Sequence, residues 1–273
     1  MQPITSRQNP KIKLARALRE HKERQRSGLF VVEGIRHVGE AVQAGAGVEF
    51  ILYAPHLLTS EFALHLIEEQ TARGLPCYPI PAELFNYLAD KEHPPGILAV
   101  LRQPSLSLQA LSPRNFAWGV TIIAPQDPGN VGAILRTIEA VGADGLILLE
   151  DSVDPYHPTA VRASMGALFW KPVVVASFTA FADWAKEHKY HVYASSAHGD
   201  KDYHEVKRYP RPCLLLLGSE REGLSPEQRA ICEEVIRIPM HGRVTSLNLA
   251  VAAGVLLYAM LEPPGGSPTL HTT

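Results

Sequence analysis

Short apolar runs alternate with segments of helical periodicity over residues 28–102. Apolar runs of this length are typical of strands, whereas the segments between them repeat their apolar residues at the spacing of amphipathic helices. The alternation predicts a compact α/β domain over residues 1–103. Its predicted strands are LFVVEG, VEFILYA and GILAVL, and its predicted helices are IRHVGEAVQAG and SEFALHLIEEQTARG.

The pattern changes after residue 115, where nearly continuous apolar runs begin. Such runs are typical of strands that are buried on both faces of a mostly parallel sheet. Helices are predicted between several of them, at 130–142, 178–188 and 225–232, with a final helix at 247–261. We therefore predict a second, layered α/β domain over residues 116–262. Its apolar runs are AWGVTIIAP, DGLILLE, KPVVVA, YHVYASS, PCLLLLG and EVIRIPM.

Two segments show neither pattern. Residues 104–115 contain proline and serine-proline breaks without sustained periodicity, which indicates a linker between the domains. Residues 263–273, rich in proline, glycine and threonine, predict a disordered tail.

The composition fits a folded soluble chain, since 46% of its 273 residues are hydrophobic. The longest apolar stretch, at 247–261, is interrupted by Asn248 and is shorter than the roughly 20 residues of a membrane span. The N-terminus lacks the apolar core of a secretory signal, so we expect a cytoplasmic protein without membrane association. Three distant cysteines and twelve scattered histidines predict neither a disulfide framework nor a metal centre.

Charge is distributed unevenly along the chain. The formal net charge is −2, yet the first 26 residues hold eight Lys or Arg side chains against two glutamates. A basic stretch with helical spacing is either a solvated face or a surface for nucleic-acid phosphates, and the sequence leaves both interpretations open. The candidate RNA-binding residues are Arg7, Lys11, Lys13, Arg16 and Arg19.

Polar, glycine-containing loops follow three of the predicted strands in the second domain. They are QDPGNVG after GVTIIAP, SEREG after CLLLLG, and HGRVTSLN after VIRIPM. Each loop taken alone has a purely structural explanation, as a turn or as a helix cap; Thr245 or Ser246, for example, suits the N-cap of the final helix. Because ligands bind at the carboxyl ends of parallel strands, the three loops together predict one composite site.

Several familiar site signatures are absent. The chain has no GxGxxG after a strand and no GxxxxGK[ST], which disfavours a conventional NAD enzyme and a P-loop NTPase. It also lacks HExxH and GxSxG, so the sequence does not support a zinc protease or a serine hydrolase.

The three loop segments closely resemble the three motifs of the SpoU (TrmH-type) branch of the SPOUT RNA methyltransferases. They read DPGNVGAILRTIEAVGADGLIL, LLLGSEREGLS and IPMHGRVTSLNLAVAAGVLLYAM. The resemblance includes VRASMGALFWKPV and spans nearly all of residues 116–262. The segment SRQNPKIKLARAL and the following FVVEGIRHVGEAV resemble the small, ribosomal-protein-like RNA-binding domain that precedes the catalytic domain in many family members.

The resemblance implies a fold, a cofactor and an assembly. The expected fold is a trefoil-knotted, mostly parallel α/β domain preceded by a small α/β RNA-binding domain. The expected assembly is a homodimer that binds S-adenosylmethionine without a metal. Two positions depart from the common family pattern, Arg221 in the second motif and Thr245 in the third. The residues implied for cofactor binding are Leu217, Gly218, Ile238, Met240 and Leu247.

The resemblance also implies catalytic roles. A ribose hydroxyl is a poor nucleophile, and arginine is not an ordinary base. Arg136 is therefore expected to stabilise a developing alkoxide, with a phosphate helping to accept the proton, and to face the cofactor of the opposite subunit. The other implied catalytic residues, which hold the ribose, are Asn130, Glu220, Ser246 and Asn248.

These implications predict an RNA 2′-O-ribose methyltransferase. The separate N-terminal domain favours ribosomal RNA as the substrate, with transfer RNA as the alternative. A non-catalytic RNA-binding protein that retains the fold is a further alternative, and base methylation is disfavoured by the pattern of the Asn130, Arg136, Ser246 and Asn248 positions.

Overall fold

The computed structural model describes residues 1–89, 94–220 and 222–261. The helices are α1 Pro10–Ala17, α2 His21–Ser27, α3 Ile35–Gln43, α4 Glu61–Ala72, α5 Ala82–Leu88, α6 Pro128–Val141, α7 Pro158–Ala163, α8 Ala167–Trp170, α9 Phe178–Glu187, α10 Pro226–Ala230 and α11 Leu249–Leu261. The strands are β1 Leu29–Glu33, β2 Val48–Tyr53, β3 Cys77–Pro79, β4 Ile97–Arg102, β5 Trp118–Ile123, β6 Gly145–Leu149, β7 Val173–Ala176, β8 His191–Ser195, β9 Lys201–Asp202, β10 Cys213–Leu217 and β11 Glu234–Arg237.

The first compact unit consists of Met1–Ser105 together with Asp154–Trp170. Its four-stranded sheet has the order β1-β4-β2-β3, with β4 antiparallel to both β1 and β2. Helix α1 begins where Asn9 caps it, since its side chain accepts a hydrogen bond from the backbone N–H of Lys11 at 2.9 Å. Ile12 and Ala15 on α1 are buried. The predicted α/β character of this region is confirmed.

Residues 154–170 belong to this first unit although the sequence pattern assigns them to the second domain. Their packing explains the difference. The ring of Phe30 lies 4.8 Å from that of Tyr156 and 6.5 Å from that of Phe169, measured between centroids. The indole N–H of Trp170 donates to Glu40 at 3.0 Å. Contacts between residues so far apart in the chain have no signature in local periodicity.

A second contact fixes the same segment. The Arg24 guanidinium is buried and forms an ion pair with Asp154, with Nε 2.6 Å from Oδ2. Its Nη1 donates to the backbone carbonyls of Leu18 and Arg19. Arg24, one of the eight basic residues among the first 26, is therefore a structural cation.

The second unit consists of Leu106–Val153 and the described residues from Lys171 onward. Its seven strands have the order β7-β6-β5-β10-β8-β11-β9, and every neighbouring pair is parallel. All residues of β5, β6 and β10 are buried, as continuous apolar runs require. The predicted mostly parallel sheet is confirmed.

The segment predicted as a linker also contributes to this second core. Leu108 and Leu111 are buried in the cluster that contains Phe116 and Trp184. The indole N–H of Trp184 donates to the carbonyl oxygen of Leu111 at 3.2 Å. The tail predicted at 263–273 lies outside the described residues.

All three cysteines have free thiols. Burial raises the pKa of each thiol, that of Cys232 to about 11, so these groups stay protonated at neutral pH. Within the described parts of the chain, no group of three or more His, Cys, Asp or Glu residues is arranged to hold a metal ion. None of the described helices is long and apolar enough to cross a membrane.

Candidate active site

A cavity of about 750 Å³ lies at the carboxyl ends of β8, β10 and β11 and beside the first turn of α6. All three polar loops predicted from the sequence contribute to its wall. Each cofactor-binding residue expected from the resemblance lines it, as do Asn130, Glu220, Ser246 and Asn248. The expected cofactor residues in the wall are Leu217, Gly218, Ile238, Met240 and Leu247.

Asn130 connects the loops at this cavity. Its side-chain amide donates to the Glu220 carboxylate, and its Oδ1 accepts from Nδ2 of Asn248 at 2.9 Å. Asn130 is buried, and it is not the cap of α6, because Asp127 fills that role by accepting from the N–H of Gly129 at 2.7 Å. A buried amide needs its hydrogen bonds satisfied, so this chain of three side chains fixes the relative positions of the three loops.

Asn248 has a second role at the start of α11. Its Oδ1 accepts from the backbone N–H groups of Ala250 at 2.9 Å and Val251 at 3.3 Å, which makes it the N-cap. The cap that the sequence offered to Thr245 or Ser246 is thus provided by Asn248. Both of those residues line the cavity.

The loop after β10 is a tight turn. Ser219 and Gly223 exchange two backbone hydrogen bonds of 3.0 Å, and Gly223 has a φ of +69°. A Cβ atom on Gly218 would lie 2.7 Å from the carbonyl carbon of Gly223. Only glycine at position 218 allows this close approach. Arg221, the departure noted in the sequence, lies outside the described residues.

The cavity wall combines apolar and polar groups. Leu217, Ile238 and Met240 offer apolar surface, and the Glu220 carboxylate with the serine, threonine and asparagine side chains offers hydrogen-bonding groups. Such a mixture in a pocket of this volume suits a nucleoside-like ligand, which presents a flat ring and a polyhydroxylated sugar.

Arg136 does not line this cavity. It lies on α6 six residues after Asn130, so the two side chains leave the helix about 120° apart, on different faces. Arg136 is exposed and forms no ion pair with any residue that the structure describes. Within one chain, the structure therefore leaves it away from the other four expected catalytic residues.

Sequence reasoning missed one wall of the cavity. Ser195, Ser196, Ala197 and His198 line it from the end of β8. This strand pairs with both β10 and β11, so its carboxyl end lies at the same edge of the sheet. In the sequence, the apolar run YHVYASS is followed by a polar loop, as in the three loops that were predicted. Only the order of the strands shows that this loop lies at the same site.

The five expected RNA-binding residues lie in the first unit and have different surroundings. Lys13 and Arg16 are exposed on one face of α1, three residues apart. Lys11 lies on another face, with Nζ 5.2 Å from the ring centroid of Phe50. Arg19 donates to the backbone carbonyl of Leu88 and lies 3.8 Å from the Glu33 carboxylate. Arg7, which precedes α1, is exposed.

Comparisons with known proteins agree with this two-part organisation. The sequence model of the SpoU rRNA Methylase family matches residues 119–258, and that of the MRM3-like substrate binding domain matches residues 9–99. A 23S rRNA (uridine(2479)-2′-O)-methyltransferase of Streptomyces viridochromogenes is 35% identical, with 86% of this chain and 83% of that protein covered. A 23S rRNA (guanosine(2553)-2′-O)-methyltransferase of Bacillus subtilis (strain 168) is 29% identical, with 94% of this chain and 98% of that protein covered.

A solved structure is similar over the same length. The AdoMet-bound rRNA methyltransferase from Sinorhizobium meliloti has a TM-score of 0.85 and 30% identity, and the alignment covers 95% of this chain and 97% of that one. One family model thus covers about half of the chain, and the relatives extend over both units. The chain belongs to the SpoU rRNA methylase family of S-adenosylmethionine-dependent RNA methyltransferases.

Proposed function

We propose that the chain methylates a ribose 2′-hydroxyl of ribosomal RNA with S-adenosylmethionine as the methyl donor. The observation that carries this proposal is the hydrogen-bonded chain of Asn130, Glu220 and Asn248 in the wall of a nucleoside-sized cavity. Two relatives are 23S rRNA 2′-O-methyltransferases, one for a uridine and the other for a guanosine. Their shared chemistry at different bases supports the ribose as the methylated group.

The residues of the cavity fit the cofactor. Leu217, Ile238, Met240 and Leu247 provide apolar contact for an adenine ring, and Gly218, which has no side chain, lines the cavity with its backbone. When bound, S-adenosylmethionine supplies a methyl group on a positively charged sulfur. The protein's task is then to bring a ribose oxygen into line with that methyl group and to assist the loss of its proton.

Positioning of the ribose falls to the buried polar chain. Asn130 is held by Glu220 on one side and Asn248 on the other, so it cannot rotate without breaking a hydrogen bond. Glu220 and Ser246 also face the cavity, where their oxygen atoms are available to sugar hydroxyl groups. This preorganisation reduces the entropic cost of alignment.

Stabilisation of the developing alkoxide requires a cation, and no lysine or arginine is among the described residues that line the cavity. Arg136 supplies it in our proposal, from the partner subunit of a homodimer, with a phosphate of the RNA assisting proton removal. The second unit has the exposed apolar surface that such a dimer would bury. On α11, Val251 and Tyr258 are more than half exposed, and Val244 and Leu247 are exposed in the preceding loop.

The knot expected from the resemblance is also part of the proposal. It would hold the loop after β10 and the loop before α11 against one cofactor, because the last segment would pass through an earlier loop. Recognition of RNA falls mainly to the first unit, to which the substrate-binding-domain model corresponds. We also expect the protein to act in the cytoplasm.

The decisive experiment measures methyl transfer from labelled S-adenosylmethionine to ribosomal RNA extracted from cells that lack this protein. We expect label in a 2′-O-methylated nucleoside after complete digestion, and at most weak labelling of transfer RNA. Label in a methylated base would overturn the ribose assignment. Absence of both methyl transfer and cofactor binding in the folded protein would instead favour a non-catalytic RNA-binding protein.

Gly218→Ala is expected to weaken S-adenosylmethionine binding at least about tenfold, because an added Cβ would force the 218–223 turn away from the cavity. Calorimetric titration with the cofactor measures the effect. Gly242→Ala is the matched control, since a Cβ at position 242 meets no atom within 4 Å and its φ is not in the left-handed region. Equal affinities of the Gly218→Ala and Gly242→Ala variants would show that the tight turn does not shape the cofactor site.

A further inference from the structure

Tyr87 lies near the end of α5 with 37% of its surface exposed, and two cations lie over its ring. The guanidinium carbon of Arg7 is 4.7 Å from the ring centroid and that of Arg16 is 5.2 Å from it. Arg16 also donates to the carbonyl oxygen of Tyr87 at 3.2 Å. The segment before α1 and α1 itself thus place two planar cations on one exposed aromatic ring.

Among the described residues, no carboxylate pairs with the cations around Tyr87. Arg7, Lys13 and Arg16 form no ion pair with any residue in the described ranges. Other exposed arginines of the same unit do have such partners, since Arg26 pairs with Glu23 and Arg102 pairs with Glu49. Exposed cations of this kind, on one face of α1 and just before it, are suited to RNA phosphates.

Another cation, Lys11, also lies over aromatic rings in this unit, but one of these rings is buried. Nζ of Lys11 lies 5.1 Å from the ring centroid of Tyr78 and 5.2 Å from that of Phe50. The Phe50 ring is buried in the core of the unit, so it offers no face to a ligand. Tyr87 differs because the residue is 37% exposed.

An accessible ring flanked by guanidinium groups matches the chemistry of unpaired bases. Single-stranded RNA exposes bases that stack on aromatic rings and on guanidinium planes, whereas a duplex keeps its bases stacked inside the helix. We propose that Tyr87, Arg7 and Arg16 form a stacking site for an unpaired base of the RNA, with Lys13 contacting an adjacent phosphate. This inference rests on the proposed function and specifies its substrate as RNA with an unpaired nucleotide outside the methylation site.

The test compares two probes on the full chain by fluorescence anisotropy. The probes are a single-stranded RNA of about 12 nucleotides with mixed sequence and the same strand in a duplex. Tyr87→Ala is expected to weaken binding of the single strand by about fivefold or more and to leave duplex binding nearly unchanged. Tyr87→Phe, which keeps an aromatic face, should retain single-strand binding.

Salt dependence separates stacking from charge. Stacking releases no counterions, so Tyr87→Ala should leave the slope of log affinity against log salt unchanged. Lys13→Ala should reduce the magnitude of that slope by about 0.7 for the single strand, because one phosphate contact is lost. Phe62→Ala is the matched control, since Phe62 is an aromatic residue of the same unit that is 50% exposed, and no cation of the described residues lies over its ring.

Three results would overturn the proposal. The first is that Tyr87→Ala loses as much affinity for the duplex as for the single strand. The others are that Phe62→Ala or Tyr87→Phe loses as much affinity for the single strand as Tyr87→Ala does. The measurement involves no methyl transfer, and cofactor affinity should be the same in all variants. A chain that methylates ribose but shows no Tyr87 effect would therefore refute the stacking site alone. A chain with the Tyr87 effect but without ribose methylation would refute the proposed function alone.

Discussion

Arg136→Ala is expected to reduce methyl transfer by about 100- to 1000-fold while the chain remains folded and binds S-adenosylmethionine normally. Arg136 is exposed and does not contact the cofactor cavity of its own chain, so its removal should disturb neither folding nor the cavity wall. Its expected role is to stabilise the negative charge that develops on the ribose oxygen during methyl transfer. Single-turnover transfer and calorimetric cofactor binding measure the two quantities separately.

The same variant tests whether Arg136 acts across a dimer. Asn130→Ala is expected to be inactive because the chain of Glu220, Asn130 and Asn248 is broken. If Asn130 of one subunit works with Arg136 of the other, a mixed dimer of the two inactive variants contains one intact site. Free exchange of equal amounts should then restore about a quarter of the wild-type activity, since about half of the dimers are mixed.

Two outcomes would contradict this assignment. Near-normal transfer by Arg136→Ala would remove the arginine from the mechanism. An inactive Arg136→Ala that is not rescued by mixing, although subunit exchange is verified with differently tagged chains, would place the arginine in the site of its own chain. Arg136→Lys is the conservative control, and it should recover part of the activity because it keeps the charge but loses the planar donor geometry.

The second large effect concerns stability. Asp154→Ala is expected to reduce the free energy of unfolding of the first unit by about 3–5 kcal/mol, because it leaves the buried Arg24 charge without its partner. The Arg24 side chain is 2% exposed. Nearby, burial raises the pKa of the Tyr156 hydroxyl to about 12, with the Asp154 charge as the second cause. The surroundings of the ion pair are thus poorly hydrated.

Urea denaturation followed by tryptophan fluorescence and circular dichroism measures this loss. Glu23→Ala is the matched control, since it removes the partner of exposed Arg26 and should cost far less stability because water screens exposed ion pairs. Replacing both members, as in Arg24→Met with Asp154→Leu, should cost less than Asp154→Ala because no charge is left buried. A loss below about 1 kcal/mol for Asp154→Ala would show that water reaches the Arg24 guanidinium.

The strands of the second unit could be predicted because their signal is local. Continuous apolar runs such as those at β5, β6 and β10 are stable only where both faces are covered, so the runs themselves indicate a parallel sheet. The motif loops were likewise recognisable in order along the chain. The assignment of residues 154–170 to the first unit was not, because it depends on side-chain packing between distant segments.

The sequence by itself determined which residue types follow each strand and therefore that a polar site lies at the carboxyl edge of the sheet. Only the tertiary structure decided which of them meet: Asn130 bonds to Glu220 ninety positions away and to Asn248 still farther along. It also decided that Asn248 caps α11 and that Arg24 is buried rather than available to RNA. The physical reason is that hydrophobic periodicity shows only which face of a helix or strand is buried. Hydrogen bonds and ion pairs between loops depend instead on strand order and on the path of the chain.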